Sequence, residues 1–318
     1  MKVFLTRRIR QIGLDMIQQA GHTVTIWENK AVPTPTEFVE ICKDHDAIVV
    51  ADRNRVNQEF LEAVPHLKVI ALHSIGYNHV DLATAKRLNI PIGNTPNAGS
   101  EATADTAFML MLTASKNAFY MYQSIKRGEW SHFTPTENLG IGLRNKVLGI
   151  FGLGNIGFEM ARLSRAAYNM EIIYHNRSRN ERAEKELGAK WVSFEELLSQ
   201  SDVLSVHAAL NEQTKNKFDA TAFSKMKKNS IFINTSRGQI HDELALTEVL
   251  KSRTILGAGL DVTNPEPMIF NNELLDLPHV SITPHIGSSI EEDRDKMAKM
   301  VAENILAGLA GEKLPYEV

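Results

Sequence analysis

Cysteine is almost absent from this chain. Cys42 is the only one, so no internal disulfide can form, and a reducing compartment such as the cytoplasm fits that usage. Cys42 reads as a small apolar residue on a helix rather than a reactive thiol. An excess of one charge is also missing. Thirty-five basic residues face thirty-eight acidic ones for a net charge of −3, with no Lys/Arg run, which argues against a nucleic-acid partner. No apolar run approaches membrane-spanning length, and the opening MKVFLTRRIR turns polar too soon for a signal peptide. Metal-ligand spacing is lacking: there is no HExxH, and His22, His45, His66, His132 and His241 carry no motif, so no metal is expected. Internal repeats and low-complexity tracts are absent too. What remains is a chain of 318 residues, 43% hydrophobic and 23% charged, the composition of a soluble globular protein long enough for two domains.

Short β-branched runs alternate with helical patterns from the start. Val3–Leu5, Thr23–Trp27, Ala47–Val50 and Val69–Leu72 read as strands, separated by helices near Ile12–Ala20, Glu37–Lys43 and Asn57–Val64. A second series begins at Lys146–Phe151 and continues through Glu171–Tyr174, Val203–Val206, Ser230–Asn234, Ile255–Leu260 and Ser281–Thr283. Such alternation predicts an α/β protein with two doubly wound parallel-sheet domains. Between the series a single long helix is expected over Ser100–Arg127, followed by an aperiodic polar segment, Gly128–Leu143, and the chain closes with a helix over Ser288–Ala310 ending at Gly311.

The strand Lys146–Phe151 runs into Gly152-Leu153-Gly154-Asn155-Ile156-Gly157 and then into a helical pattern. A GxGxxG between a strand and a helix marks a Rossmann-type dinucleotide site. Its first glycine allows the tight turn, its second lets backbone approach the pyrophosphate, and its third lets the helix pack on the strand. The helix N-terminus then favours phosphate. About twenty residues on, where an NAD enzyme places an acid for the ribose 2′-hydroxyl, this chain has Asn176-Arg177-Ser178-Arg179. Two guanidiniums and a hydroxyl suit a 2′-phosphate, so NADP is expected in preference to NAD.

Three further loops follow strands of the second series. They contain Asn234-Thr235-Ser236-Arg237-Gly238, then Asp261 with Glu266-Pro267, then Pro284-His285-Ile286-Gly287. Residues just beyond the carboxyl ends of parallel strands face the ligand crevice, which gathers Arg237, Glu266 and His285. Arginine can grip a carboxylate through two parallel hydrogen bonds. Histidine can deliver a proton near neutral pH, and a paired carboxylate orients it and favours its charged form. That set suits reduction of a small 2-oxo acid.

Together with Ser74-Ile75-Gly76-Tyr77-Asn78-His79-Val80-Asp81, these motifs come in an order that resembles the D-isomer-specific 2-hydroxyacid dehydrogenase family over nearly the whole chain, most similarly its glyoxylate/hydroxypyruvate reductases. The resemblance implies that Arg237, Glu266 and His285 are catalytic, and that Thr235 and Asp261 contact the nicotinamide. It implies backbone amides at Ile75 and Gly76 holding the substrate carboxylate beside Arg237, and Thr103, His207, Ala208 and Gly287 lining the cofactor cleft with the glycine-loop residues. It implies a substrate domain of residues 1–98 completed by 288–318, a dinucleotide-binding domain of 99–287, and a homodimer formed through the cofactor domains. Asn155 and Ala209 depart from the family's frequent Arg and Pro. Two other substrate readings remain, D-lactate and D-3-phosphoglycerate dehydrogenase. A reading of another class is a nicotinamide-sensing corepressor-like binding protein.

Overall fold

The computed structural model describes residues 1–318, and the chain divides into two compact units: Met1–Gly99 with Ser288–Val318, and Ser100–Gly287. In the first, five short strands alternate with helices: β1 (Lys2–Leu5), α1 (Gln11–Gln19), β2 (Thr23–Ile26), α2 (Pro35–Cys42), β3 (Ala47–Val50), α3 (Gln58–Ala63), β4 (Val69–Leu72), α4 (Leu82–Arg87) and β5 (Ile92–Gly93). The strands pair in parallel in the order β2-β1-β3-β4-β5. Side chains alternate between faces along each strand. Val3 and Leu5 therefore join one buried cluster with Val49, Val69 and Ile17, while Phe4 joins another with Phe38, Ile48 and Phe60.

Local signals place the helices. Thr34 caps α2 in a reciprocal capping box with Glu37, and Pro35 occupies the first turn, where its missing N–H is harmless. Asn57 and Asp81 cap α3 and α4 through their side chains.

The second unit begins with α5 (Ser100–Ser115) and α6 (Ala118–Lys126) and then alternates through β6 (Val147–Phe151), α7 (Asn155–Tyr168), β7 (Glu171–His175), α8 (Glu181–Leu187), β8 (Lys190–Trp191), α9 (Phe194–Gln200), β9 (Val203–Val206), α10 (Ala220–Ser224), β10 (Ile231–Asn234), α11 (Glu243–Lys251), β11 (Gly257–Leu260) and β12 (Val280–Ile282). Its seven strands are parallel in the order β12-β11-β10-β9-β6-β7-β8. Leu148, Ile150 and Ile233 pack with Leu110, Met111 and Met160 on one face, and Phe151, Phe232 and Leu260 pack with Phe218, Phe223 and Leu246 on the other. Helices on both faces of a parallel sheet make this a doubly wound α/β unit. The final helix, α12 (Glu291–Ala310), belongs to the first unit and packs Ala298, Val301 and Ile305 against its sheet. No helix is long and apolar enough to cross a membrane.

One expectation is corrected. The single helix over Ser100–Arg127 is two helices, broken at Asn117, which adopts a left-handed backbone with φ 58°. Asn117 is buried, and its Oδ1 accepts the His279 N–H at 2.7 Å. The Ser115 carbonyl meanwhile accepts from Ile141 N at 2.9 Å rather than continuing a helical ladder. Asparagine tolerates the left-handed region better than most residues, and a tertiary hydrogen bond decides the break.

Cys42 lies at the end of α2 among Phe4, Phe38 and Ile48, and burial pushes its thiol up to about 12. Only the thiolate is a good nucleophile. Native protein at pH 8 should therefore react with a thiol-specific disulfide reagent at least about a hundredfold more slowly than urea-unfolded protein. Equal rates in the two states would contradict this packing.

Candidate active site

The strand order of the larger sheet reverses between β6 and β9, so their carboxyl ends flank an opening, the usual ligand position in such sheets. The chain leaves β6 through Gly152 at φ 93°. A Cβ there would lie 2.4 Å from the Ala208 nitrogen, just beyond β9, so only glycine fits. Gly154 precedes α7 with no side-chain cap, and nothing lies within 4 Å of where its Cβ would point. Asn155, Ile156 and Gly157 form the first turn of α7, whose N–H groups make an anion site. Two shielded polar atoms have no hydrogen-bond partner: Thr235 Oγ1 beyond β10 and His207 Nδ1 beyond β9, whose Nε2 contacts Ser205 Oγ at 2.8 Å. An open glycine cradle with unpartnered polar atoms beyond neighbouring strands fits a phosphate-bearing dinucleotide.

Beyond β7 the expected cluster separates. The Asn176 side chain faces the glycine loop, accepting from Leu153 N at 2.6 Å and donating to Leu153 O at 3.1 Å. Arg179 makes two hydrogen bonds to Glu184, at 2.7 and 3.0 Å, and Glu184 also accepts from the Tyr174 hydroxyl. Arg177, Ser178 and Arg179 are all exposed. Asn176 is thus a brace for the loop and Arg179 half of an ion pair, because each has a nearer partner within its own fold.

The loops after β10, β11 and β12 carry the other candidates. His285 Nδ1 lies 2.6 Å from Glu266 Oε1. Burial lowers the pKa of the partly buried Arg237 guanidinium and the nearby Glu266 carboxylate raises it; a guanidinium is a cation at any ordinary pH. A Cβ on Gly238 would fall 2.0 Å from the Thr263 carbonyl oxygen, which shows how closely the Arg237 loop abuts the segment leading to Glu266.

Asp261 is 1% exposed, and both its oxygens are taken. Oδ1 accepts from Thr283 Oγ1 at 2.6 Å and Ile286 N at 2.8 Å, and Oδ2 accepts from Gly287 N at 2.8 Å. Burial raises its pKa, opposed by those hydrogen bonds and by His285. These hydrogen bonds tie the Asp261 carboxylate to the loop that carries His285. A Cβ on Gly287 would come within 3.3 Å of Thr103 Cγ2 on α5, which brings Thr103 to the same loop. Sequence reading missed Glu243, which accepts from Asn264 N at 2.6 Å and Asn272 Nδ2 at 2.8 Å and so brackets the Glu266 segment. An acid directly after the Asp242 helix cap was its only signal.

In the smaller unit, the loop after β4 is braced through its carbonyls. Asn94 Nδ2 donates to Ile75 O at 2.7 Å, and Ser74 Oγ donates to Gly76 O at 2.8 Å.

Comparison with known proteins agrees with this geometry. Residues 108–287 match the NAD-binding domain of the D-isomer specific 2-hydroxyacid dehydrogenases. The chain belongs to that family. A glyoxylate reductase of Thermococcus litoralis is 39% identical over 318 residues, covering 99% of this chain and 95% of the relative. The crystal structure of a glyoxylate reductase from Paecilomyes thermophila superposes with a TM-score of 0.87 at 34% identity, covering 100% of this chain and 98% of the other. An NADPH-dependent glyoxylate/hydroxypyruvate reductase of Sinorhizobium meliloti, solved with NADP and malonate, gives 0.85 at 28%, covering 100% and 96%. This dehydrogenase is an NAD(P)-dependent oxidoreductase acting on 2-oxo and 2-hydroxy acids.

Asp261→Asn keeps the shape but sets an amide N–H among backbone N–H donors. Loss of the clamp should displace His285 and lower kcat by roughly 100-fold, with the circular dichroism spectrum unchanged. A kcat within twofold of wild type would show that Asp261 does not position the loop.

Proposed function

We propose that this dehydrogenase reduces a small 2-oxo acid of the glyoxylate or hydroxypyruvate type to the D-2-hydroxy acid. The observation that carries the reading is the 2.6 Å contact of His285 with Glu266 beside a cationic Arg237. Arg237 binds the substrate carboxylate. His285 donates a proton from Nε2 to the carbonyl oxygen, while its Nδ1–H is held by Glu266, which fixes the ring. The nicotinamide cofactor, when bound at the glycine cradle, supplies the hydride. The relatives named above, with glyoxylate and hydroxypyruvate in their names, support the substrate class. For the cofactor, the exposed Arg177 and Ser178 suit a 2′-phosphate, so NADPH is preferred to NADH.

Reduction consumes imidazolium and oxidation consumes imidazole, so the reductive rate should fall and the oxidative rate should rise with increasing pH. A panel of glyoxylate, hydroxypyruvate, pyruvate and 3-phosphohydroxypyruvate with both reduced cofactors tests the reading. Hydroxypyruvate or glyoxylate with NADPH should give the highest kcat/KM, and Arg177→Ala should narrow the cofactor preference. His285→Ala should lower kcat by about 10²–10⁴-fold. Turnover confined to 3-phosphohydroxypyruvate, or a His285→Ala enzyme of undiminished kcat, would refute it. Absence of all turnover in a protein that binds the cofactor would favour the corepressor-like class.

We also propose a homodimer formed by the segment beyond α5. Tyr122, Ile125, Trp130, Phe133 and Leu139, all within one stretch of chain, are exposed, Trp130 by 71% and Phe133 by 84%, and a concentration of exposed large apolar groups marks an interaction surface. Sedimentation should give twice the mass of one 35.5 kDa chain. Trp130→Glu with Phe133→Glu should give monomers, and a monomeric wild type would overturn the proposal.

A further inference from the structure

The backbone around Arg237 is set by the side-chain amide of Asn234, the last residue of β10. Asn234 is fully buried. Its Nδ2 donates to the Arg237 carbonyl at 2.9 Å and to His241 Nδ1 at 3.0 Å. Its Oδ1 accepts from Ser236 N and from Ser236 Oγ, both at 2.9 Å. A carboxamide has two N–H donors and two acceptor lone pairs, and all four are used. The Arg237 carbonyl can only accept, so it fixes which end of the amide is nitrogen. The second N–H then points at His241 Nδ1, which must offer a lone pair.

We propose that His241 is a positioning residue for Arg237: its unprotonated Nδ1 holds the Asn234 amide, which in turn holds the Arg237 carbonyl. The proposal rests on the reading of Arg237 as the substrate-binding cation. Three observations support it. The imidazole is pinned, because His241 pairs with Phe218 in a parallel bridge and its ring meets the Phe232 ring at 5.7 Å and 69°. It is kept neutral, since complete burial lowers its pKa to about 4. Finally, His241 Nε2 is buried with no hydrogen-bond partner, a cost that an aliphatic side chain of similar volume would not carry. What histidine supplies here and an aliphatic residue cannot is the Nδ1 lone pair.

The test compares His241→Leu, which removes the lone pair, with His241→Gln, whose amide oxygen can replace it. At saturating NADPH, His241→Leu should raise KM for hydroxypyruvate about three- to tenfold, the size of one lost hydrogen bond, while the Kd for NADPH stays within about twofold of wild type. His241→Gln should recover most of that KM. A His241→Leu enzyme that melts at lower temperature with unchanged KM would show a merely structural role and overturn the proposal. Arg237→Lys separates the two readings. If it raises KM while both His241 variants match wild type, only the His241 proposal fails. If it leaves KM unchanged, the assignment of Arg237 to substrate fails, and the role of His241 with it. Should His241→Leu not fold, ¹H–¹⁵N spectra of the wild-type imidazole decide: a proton on Nε2 and a bare, hydrogen-bonded Nδ1 at pH 7 support the proposal, and a proton on Nδ1 overturns it.

Discussion

Asp261 directly follows β11 with both carboxylate oxygens taken by donors that flank His285, and much of the candidate site in the larger unit depends on that contact. A buried carboxylate is expensive unless it is hydrogen-bonded, and hydrogen bonds to a charged acceptor are the stronger kind. Three of them draw the loop after β12 onto the end of its neighbour strand. His285 is thereby held with φ 56°, a region that side chains other than glycine seldom adopt and that persists only when the surroundings impose it. Strain at His285 and satisfaction at Asp261 are two sides of one arrangement, and the result is an imidazole presented to Glu266 at 2.6 Å.

Close backbone approach supplies the rest. Gly152 passes against Ala208, and Gly238 passes against Thr263, at distances that leave no room for a Cβ. The first makes the cradle between β6 and β9, and the second brings the loop of Arg237 against the segment that carries Glu266. Parallel strands place these turns at the carboxyl end of the sheet, while polar clamps decide which way each side chain faces: Asn176 for the glycine loop, Asn234 for Arg237 and Glu243 for the Glu266 segment. The candidate groups are few, and the residues that aim them are more numerous.

Much of this was legible in the chain. Four-residue, mostly apolar runs such as Ala47–Val50 and Val203–Val206 became strands because they are buried on both faces, where a near-continuous apolar run is the signature. Strand-end position gathered Arg237, Glu266 and His285, the family resemblance singled them out, and the structure sets His285 against Glu266 at 2.6 Å. The two-residue strands β5 and β8 carried no pattern, since edge strands that short have no periodicity to read. The helix break at Asn117 depends on His279, distant in sequence, and propensity cannot see such a partner. The partners of Asn176 and Arg179 were hidden for the same reason: sequence position does not reveal that Leu153 and Glu184 engage them. Polar residues were harder to place than apolar ones because their orientation depends on a specific partner.

The central claim is that the strand-end loops hold a proton donor and a carboxylate-binding cation in one fixed arrangement around a prochiral carbonyl. Product stereochemistry tests it most directly, because a fixed donor, cation and hydride source leave one face of the carbonyl open to attack. Hydroxypyruvate reduced by the enzyme with NADPH and resolved by chiral chromatography should give D-glycerate alone. Formation of L-glycerate, or of a mixture of the two enantiomers, would contradict the account.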